Sequence, residues 1–294
     1  MVTVGTFDGV HLGHRAIFDK MHEEAVLIGG ETVVVTFYPH PRIVLNIDSS
    51  NLRFINTQKQ KIRQLEETGI DNLIIIEFTR AFSRISSETF VRDYLVNKIE
   101  PAVLVIGYDH HFGKNRTGDF RRLYDLGHKL GFKVDRIPAR DVENIAVSST
   151  KIRKALEEGD VLKANKLLGY EYSLSGTVVR GKELGRTIGF PTANIQIETV
   201  YKLISNPGVY ACRIEWNGQS FDGMGNIGYR PTIQPGELTT EVHIFDFDQN
   251  LYGQEITIRF VDRIRDEIKF NSVAALREQL VHDKVTARKI LQFK

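Results

Sequence analysis

The apolar period of this 294-residue chain changes once, near Gly169, and that change limits the architectures open to it. Before Gly169, apolar runs rich in β-branched residues at 2–6, 32–38, 72–78, 103–107 and 133–137 alternate with stretches whose apolar residues recur at helical spacing. Strand and helix in alternation predict a parallel sheet covered by helices on both faces. One of these helices opens with Thr57 and, three residues on, Gln60, a capping-box pattern ahead of Ile62 and Leu65. After Gly169, short runs of alternating polarity appear at 173–179, 209–216, 241–247 and 255–261, with Asn217-Gly218 as a tight hairpin signal. These predict a small antiparallel barrel followed by a closing helix over 272–292. The boundary is expected within 159–172, where 161–168 reads as a short connecting helix, giving domains 1–169 and 170–294. The expected fold class is α/β plus β: a Rossmann-like sheet domain, then an antiparallel β-barrel with a C-terminal helix.

Composition is compatible with this division and narrows the partners. With 41% apolar and 26% charged residues the chain has material for two cores. A net charge of +2 argues against a dedicated nucleic-acid binder, whose basic patch would dominate the count. The single cysteine, Cys212, excludes an internal disulfide and suits a reducing compartment. No signal-like segment or apolar run of spanning length is present, so a cytoplasmic protein without a membrane partner is expected.

The chemistry concentrates first where the opening strand meets its helix, in Gly5-Thr6-Phe7-Asp8-Gly9-Val10-His11-Leu12-Gly13-His14. From Arg15 onward Ile17, Phe18, Met21, Ala25 and Ile28 recur at helical spacing up to a Gly29-Gly30 stop, so this loop opens a helix. Glycines such as Gly5, Gly9 and Gly13 let backbone N–H groups approach a polyphosphate, and the positive end of the helix dipole favours the same charge. His11 and His14 bracket that spot and can donate hydrogen bonds to phosphoryl oxygens as charge develops there, as nucleotidyl transfer requires. Zinc is disfavoured, because no second ligand pair stands at zinc spacing. Further on, Gly176 to Lys182 has Walker-A spacing, but Glu183 replaces the magnesium-binding hydroxyl and no helix pattern follows, so a P-loop is rejected.

The opening string resembles the His-x-Gly-His signature of the nucleotidyltransferase superfamily, in the form carried by bacterial bifunctional riboflavin kinase/FMN adenylyltransferases. Other segments match that family in order: Thr36-Phe37-Tyr38-Pro39-His40-Pro41, Gly107 through Gly113 with Arg116-Thr117-Gly118-Asp119, Ser148-Ser149-Thr150-Lys151-Ile152-Arg153, and Gly189-Phe190-Pro191-Thr192-Ala193-Asn194. The likeness covers nearly the whole chain. Family members usually carry a short stretch ahead of the first strand, whereas this chain begins almost inside it.

The resemblance implies two reactions on small molecules: riboflavin plus ATP to FMN plus ADP in the second half, then FMN plus ATP to FAD plus pyrophosphate in the first. For the first half it implies ATP binding by Gly5, Phe7, Gly9, His11, His14, Ser148, Ser149, Thr150 and Arg153. The hydroxyls at a helix start with an arginine one turn on suit a departing pyrophosphate, although a serine cap beside an exposed arginine would look the same. Asp109 lies beyond the carboxyl end of a strand and is a candidate for magnesium or for a polar edge of the flavin; a solvated turn carboxylate is equally compatible. His110 stands where the family usually has phenylalanine, at the flavin.

For the second half the resemblance implies ATP binding by Gly181, Arg186, Gly189 and Thr192. Thr192 and Asn194 offer the hard oxygens magnesium prefers. Glu241 stands where the family places its catalytic base, with Asn226 and Arg230 near the flavin. On an alternating strand Glu241, His243 and Phe245 share one face, and periodicity alone leaves open which face that is. Two other classes fit part of the pattern: a different nucleotidyltransferase with an accessory barrel, and a flavin-binding regulator without turnover. The Pro191-Thr192-Ala193-Asn194 loop together with Glu241 argues against the first, and the full set of His11, His14, Thr192, Asn194 and Glu241 against the second.

Overall fold

The structure is a computed structural model that describes residues 1–47, 51–107, 120–137, 141–142, 145–181, 184–229 and 238–293. Internal packing divides it into two units, Met1–Ser149 and Thr150–Lys294.

In the first unit, β1 (Val2–Val4), β2 (Val33–Tyr38), β3 (Asn72–Glu77), β4 (Val103–Gly107) and β5 (Lys133–Ile137) form a parallel sheet in the order β3-β2-β1-β4-β5. A two-stranded ladder follows, β6 (Asp141–Val142) with β7 (Ile145–Ala146). The helices are α1 (Leu12–Ile28), α2 (Pro41–Val44), α3 (Gln58–Glu66), α4 (Ser87–Phe90), α5 (Asn97–Ile99) and α6 (Phe120–Leu130). Successive strand residues feed opposite cores. Val34, Val103 and Val105 pack with Phe18 and Met21 of α1, whereas Val35, Leu104 and Ile106 pack with Phe90, Leu95, Leu123 and Leu126. This two-faced burial is why β2 and β4 are near-continuous apolar runs. Strand order reverses between β1 and β4, the switch point at whose carboxyl end such sheets bind ligands. The Gly5–His14 loop leaves the sheet there.

The capping box at Thr57 and Gln60 forms as expected. The apolar stripe does not: Lys61, Gln64 and Leu65 face inward, while Ile62 is exposed. A polar demand at the sheet's carboxyl end takes the inward position, as the site geometry below explains.

The second unit holds α7 (Ser149–Glu157), α8 (Val161–Leu168), β8 (Ser173–Val179), α9 (Leu184–Thr187), β9 (Ala193–Ile197), β10 (Gly208–Trp216), β11 (Gln219–Tyr229), β12 (Leu238–Ile244), β13 (Glu255–Arg265) and α10 (Val273–Phe293). The six strands close into an antiparallel barrel in the order β10-β11-β12-β9-β8-β13. The packing boundary at Ser149 differs from the expected one at Gly169. Both connecting helices are tied to the barrel: the Leu156 carbonyl accepts from Ser205 Oγ at 2.9 Å and Asn206 N at 3.0 Å, and Asn165 Nδ2 donates to Phe260 O at 2.8 Å. Gly176 to Val179 lie within β8, paired on both sides, and a single helical turn, α9, follows, consistent with rejecting a P-loop. Strands β9 and β11 were not legible, because Asn194, Gly223, Gly225 and Gly228 interrupt the apolar alternation.

Helix α10 lies on the barrel through Ala287 and Leu291, which join Ala211, Met224, Phe245 and Val261. It is anchored by a charge pair. Asp283, 1% exposed, accepts from Arg265 Nη2 at 2.7 Å and Nε at 3.0 Å, and from Gln279 Nε2 at 2.9 Å. Removing one partner of such a pair strands the other charge in a poorly solvated place. Asp283→Ala should therefore destabilise the second unit by about 3 kcal/mol. Urea unfolding followed by the fluorescence of Trp216, the chain's one tryptophan, measures this; an unchanged midpoint would show that apolar packing alone seats α10.

Candidate functional site

Each unit carries its own constellation. In the first, the chain leaves β1 through left-handed backbone at Phe7 (φ 48°), Gly9 (87°) and Val10 (37°). For Val10, β-branched, this conformation costs on the order of 1 kcal/mol or more. Burial of Phe7 and Val10 in the α1-side core offsets that cost. The loop is also tied by polar bonds. The buried Asp8 carboxylate accepts from Ile55 N at 3.0 Å and Asn56 N at 3.3 Å, and the Asp8 carbonyl accepts from Ser149 Oγ at 2.9 Å.

His11 caps α1, with Nδ1 accepting from His14 N at 3.3 Å. A neutral His11 therefore carries its proton on Nε2. The His11 and His14 rings stack, centroids 3.7 Å apart and 13° from parallel, and Phe7 meets His14 edge-on at 5.2 Å. His14 Nδ1 is buried with no hydrogen-bond partner among the described residues, leaving Nε2 as the atom through which this ring can meet a phosphoryl oxygen. Burial, and secondarily His11, holds the His14 pKa well below the usual imidazole range. His14 is thus a neutral donor near pH 7.

The structure corrects the reading of two ATP-site residues. The Gly5 N–H donates to Val35 O at 3.0 Å, so it belongs to the sheet and not to a phosphate. Gly5 is required instead by the Phe7 ring, which a Cβ there would approach to 2.8 Å. Phe7 itself is buried in the core, with its ring against His14. Ser148 is half-buried and Ser149 reaches the loop, while Thr150 and Arg153 lie in the first turns of α7 within the second unit.

In the second unit the ladder itself builds the site. Asn226 pairs with Glu241, and Glu241 with Asn194, so three polar side chains stand in a row on one face across β11, β12 and β9. The face left open by periodicity is settled: Phe245 joins Ala287 and Leu291, so the Glu241 face turns toward α10. Thr192 Oγ1 donates to Glu241 Oε2 at 3.2 Å, leaving Oε1 for a second donor. Asn194 is buried directly against Gly181, where a Cβ would fall 2.1 Å from Nδ2 and 3.0 Å from Oδ1. This cradle and the neutral oxygens of Thr192 and Asn194 fit a magnesium ion whose remaining ligands are phosphate oxygens and water. Among the described residues no group of three or more His, Cys, Asp or Glu could hold a metal without such help. Arg186 in α9 and Gly189 just after it are exposed. Asp109, His110 and Arg230 lie outside the described residues.

Two polar residues near the first site were missed. Lys61, 7% exposed, reaches Thr36 Oγ1 at 3.2 Å and Thr6 O at 3.4 Å, and burial pulls its pKa down to about 8 against the attraction of Asp8. Its signal was a lysine where a helical stripe calls for an apolar residue. Asp8 sits in the motif but reads locally as a turn aspartate; its partners lie far along the chain, beyond any local pattern.

Known proteins fit this geometry. The family model described as FAD synthetase matches residues 1–151, and that described as riboflavin kinase matches 168–291. Proteins called bifunctional riboflavin kinase/FMN adenylyltransferase from Listeria monocytogenes and Bacillus subtilis are each 38% identical, over 98% of this chain and 91% of theirs. The Escherichia coli protein of the same name is 36% identical with the same coverage. A crystal structure of a Streptococcus pneumoniae protein called a macrolide-efflux protein superposes with a TM-score of 0.89 at 32% identity, covering 98% of this chain and 93% of that one. Among the described residues no helix is long and apolar enough to cross a membrane. Two family models in this order, over two units that each hold the expected motifs, lead to one conclusion: the chain belongs to the bifunctional riboflavin kinase/FMN adenylyltransferase family.

Proposed function

We propose that the barrel unit transfers the γ-phosphate of ATP to riboflavin, and that the sheet unit transfers the adenylyl group of a second ATP to the FMN so formed. The observation that carries this reading is that each unit holds its own reaction-specific set: a carboxylate hydrogen-bonded to the Thr192 loop in one, a stacked histidine pair at a helix start in the other.

The two acceptors differ as these sets require. The ribityl hydroxyl of riboflavin is weakly acidic, so Glu241 Oε1 accepts its proton as the oxygen attacks the γ-phosphorus and ADP departs. Thr192 and Asn194 would hold magnesium, with ATP bound along Gly181, Arg186 and Gly189 and the flavin near Asn226 and Arg230. When bound, the ion neutralises the charge of the transferring phosphates. FMN needs no base, because its phosphate carries about −1.5 to −2 charge. Its oxygen attacks the α-phosphorus, and pyrophosphate leaves. His11 and His14 stabilise the charge that grows on the α-phosphoryl oxygens, Gly9 shapes the loop beside them, and Ser148 and Ser149 receive the pyrophosphate. Asp109 and His110 are proposed at the flavin of this half, Asp109 also as a candidate metal ligand. A need for ATP and a single buried cysteine fit the cytoplasm.

Removing one donor should separate the activities. His14→Ala should lower FAD formation by at least about 100-fold while FMN still accumulates from riboflavin, read by chromatography of the flavins. Loss of both products from a folded variant would sink the assignment by unit.

The base is tested from the other side. Glu241→Gln keeps the size and a hydrogen bond but cannot take a proton, so riboflavin phosphorylation should fall by roughly 100-fold or more with FMN adenylylation intact. Near-normal FMN production would make Glu241 a structural residue.

A further inference from the structure

His243 has no place in the chemistry above, yet it is buried at the edge of the kinase constellation. It stands two residues beyond Glu241 on the same face of β12. The β12–β9 ladder runs through Thr240 with Ile195, Glu241 with Asn194 and Val242 with Ala193, and stops there. Thr192 and Pro191, which precede Ala193, lie outside β9, and Pro191 has no N–H to donate. Beyond that end the His243 side chain takes over: Nδ1 lies 2.8 Å from Pro191 O. A carbonyl only accepts, so Nδ1 carries the proton, and Nε2 is buried without a partner among the described residues. The ring is wedged edge-on between Phe190, 5.2 Å away, and Phe245, 5.7 Å away. Residues two apart on a strand are about 6.5–7 Å apart. That spacing lets β12 grip two consecutive loop residues, Pro191 through His243 and Thr192 through Glu241.

We propose that His243 is a positioning residue for phosphoryl transfer: its Nδ1–H fixes the Pro191 carbonyl and thereby the placement of the Thr192 hydroxyl on Glu241. This rests on the reading of Glu241 and Thr192 given above. Burial, reinforced by Lys284, lowers the His243 pKa although the Pro191 bond opposes it, so the single donor persists at neutral pH. The described contacts of the ring are Pro191, Phe190 and Phe245, so its effect passes through the loop.

Two amides of similar polarity separate this role from packing. Asn at 243 places an amide nitrogen where Nδ1 stands, whereas Gln places it nearer the Nε2 position, out of line with Pro191. In the full chain, His243→Asn should keep kcat for riboflavin phosphorylation within about threefold of wild type. His243→Gln should lower kcat by roughly 10-fold to 100-fold, with the riboflavin KM changed by less than about threefold, the pattern of an interaction realised in the transition state. FMN adenylylation by the same samples should not change. Equal kcat in the two variants, a loss greater in Asn than in Gln, or lowered thermal stability in both with kcat per folded molecule preserved would overturn the proposal. A wild-type protein that makes no FMN from riboflavin would instead refute the kinase reading on which it rests.

Discussion

One buried residue, Asp8, joins three pieces of the first unit that are distant in sequence: its carboxylate ties the motif loop to the 55–56 segment that leads into α3, and its backbone carbonyl accepts from Ser149. Burying a carboxylate costs several kcal/mol unless hydrogen bonds replace its water. Two backbone N–H groups do so here, which makes the segment that supplies them as much a part of the site as the histidines. Because Asp8 fixes the loop, Phe7 and Val10 can hold left-handed backbone, Phe7 can lie over Gly5 and against His14, and the two imidazoles can stack at the helix start. Lys61 closes the same region, drawing Thr6 O and Thr36 together.

The barrel reaches its site by the opposite means. No left-handed residue is needed at Glu241, Asn194 or Asn226, which are aligned by ladder register alone. Only the loop before β9 lies off the ladder, and side chains hold it: Thr192 on Glu241 and Pro191 on His243. A riboflavin kinase and FMN adenylyltransferase in one chain thus combines a strained loop at a sheet switch point with a regular strand row. In the proposed reactions the first would present donors to a phosphate and the second would place a base beside a loop that would hold magnesium.

The strongly periodic parts of both units were legible in the sequence. The five parallel strands, the Thr57 capping box, the Gly29 helix stop and the closing helix follow from local pattern. What stayed hidden was set by tertiary demand. Lys61 displaced Ile62 from the inward stripe of α3 because polar groups at the sheet's carboxyl end call for a cation. Gly5 looked like a phosphate-binding glycine, yet a ring two residues away is what excludes a side chain there. Strand β11 carries three glycines and so lacks an apolar alternation, and α7 docks on the barrel through the Leu156 carbonyl and α8 through the Asn165 side-chain amide, contacts that carry no local sequence signature.

The central claim is that two separate ATP molecules give different parts of themselves to one flavin, one in each unit. It is tested most directly by incubating the wild-type protein with riboflavin and ATP labelled at either the γ- or the α-phosphate, and separating the flavins. γ-Label should appear in FMN and be retained in FAD, and α-label should appear in FAD alone. Unlabelled FMN from γ-labelled ATP, or α-label in FMN, would contradict the claim.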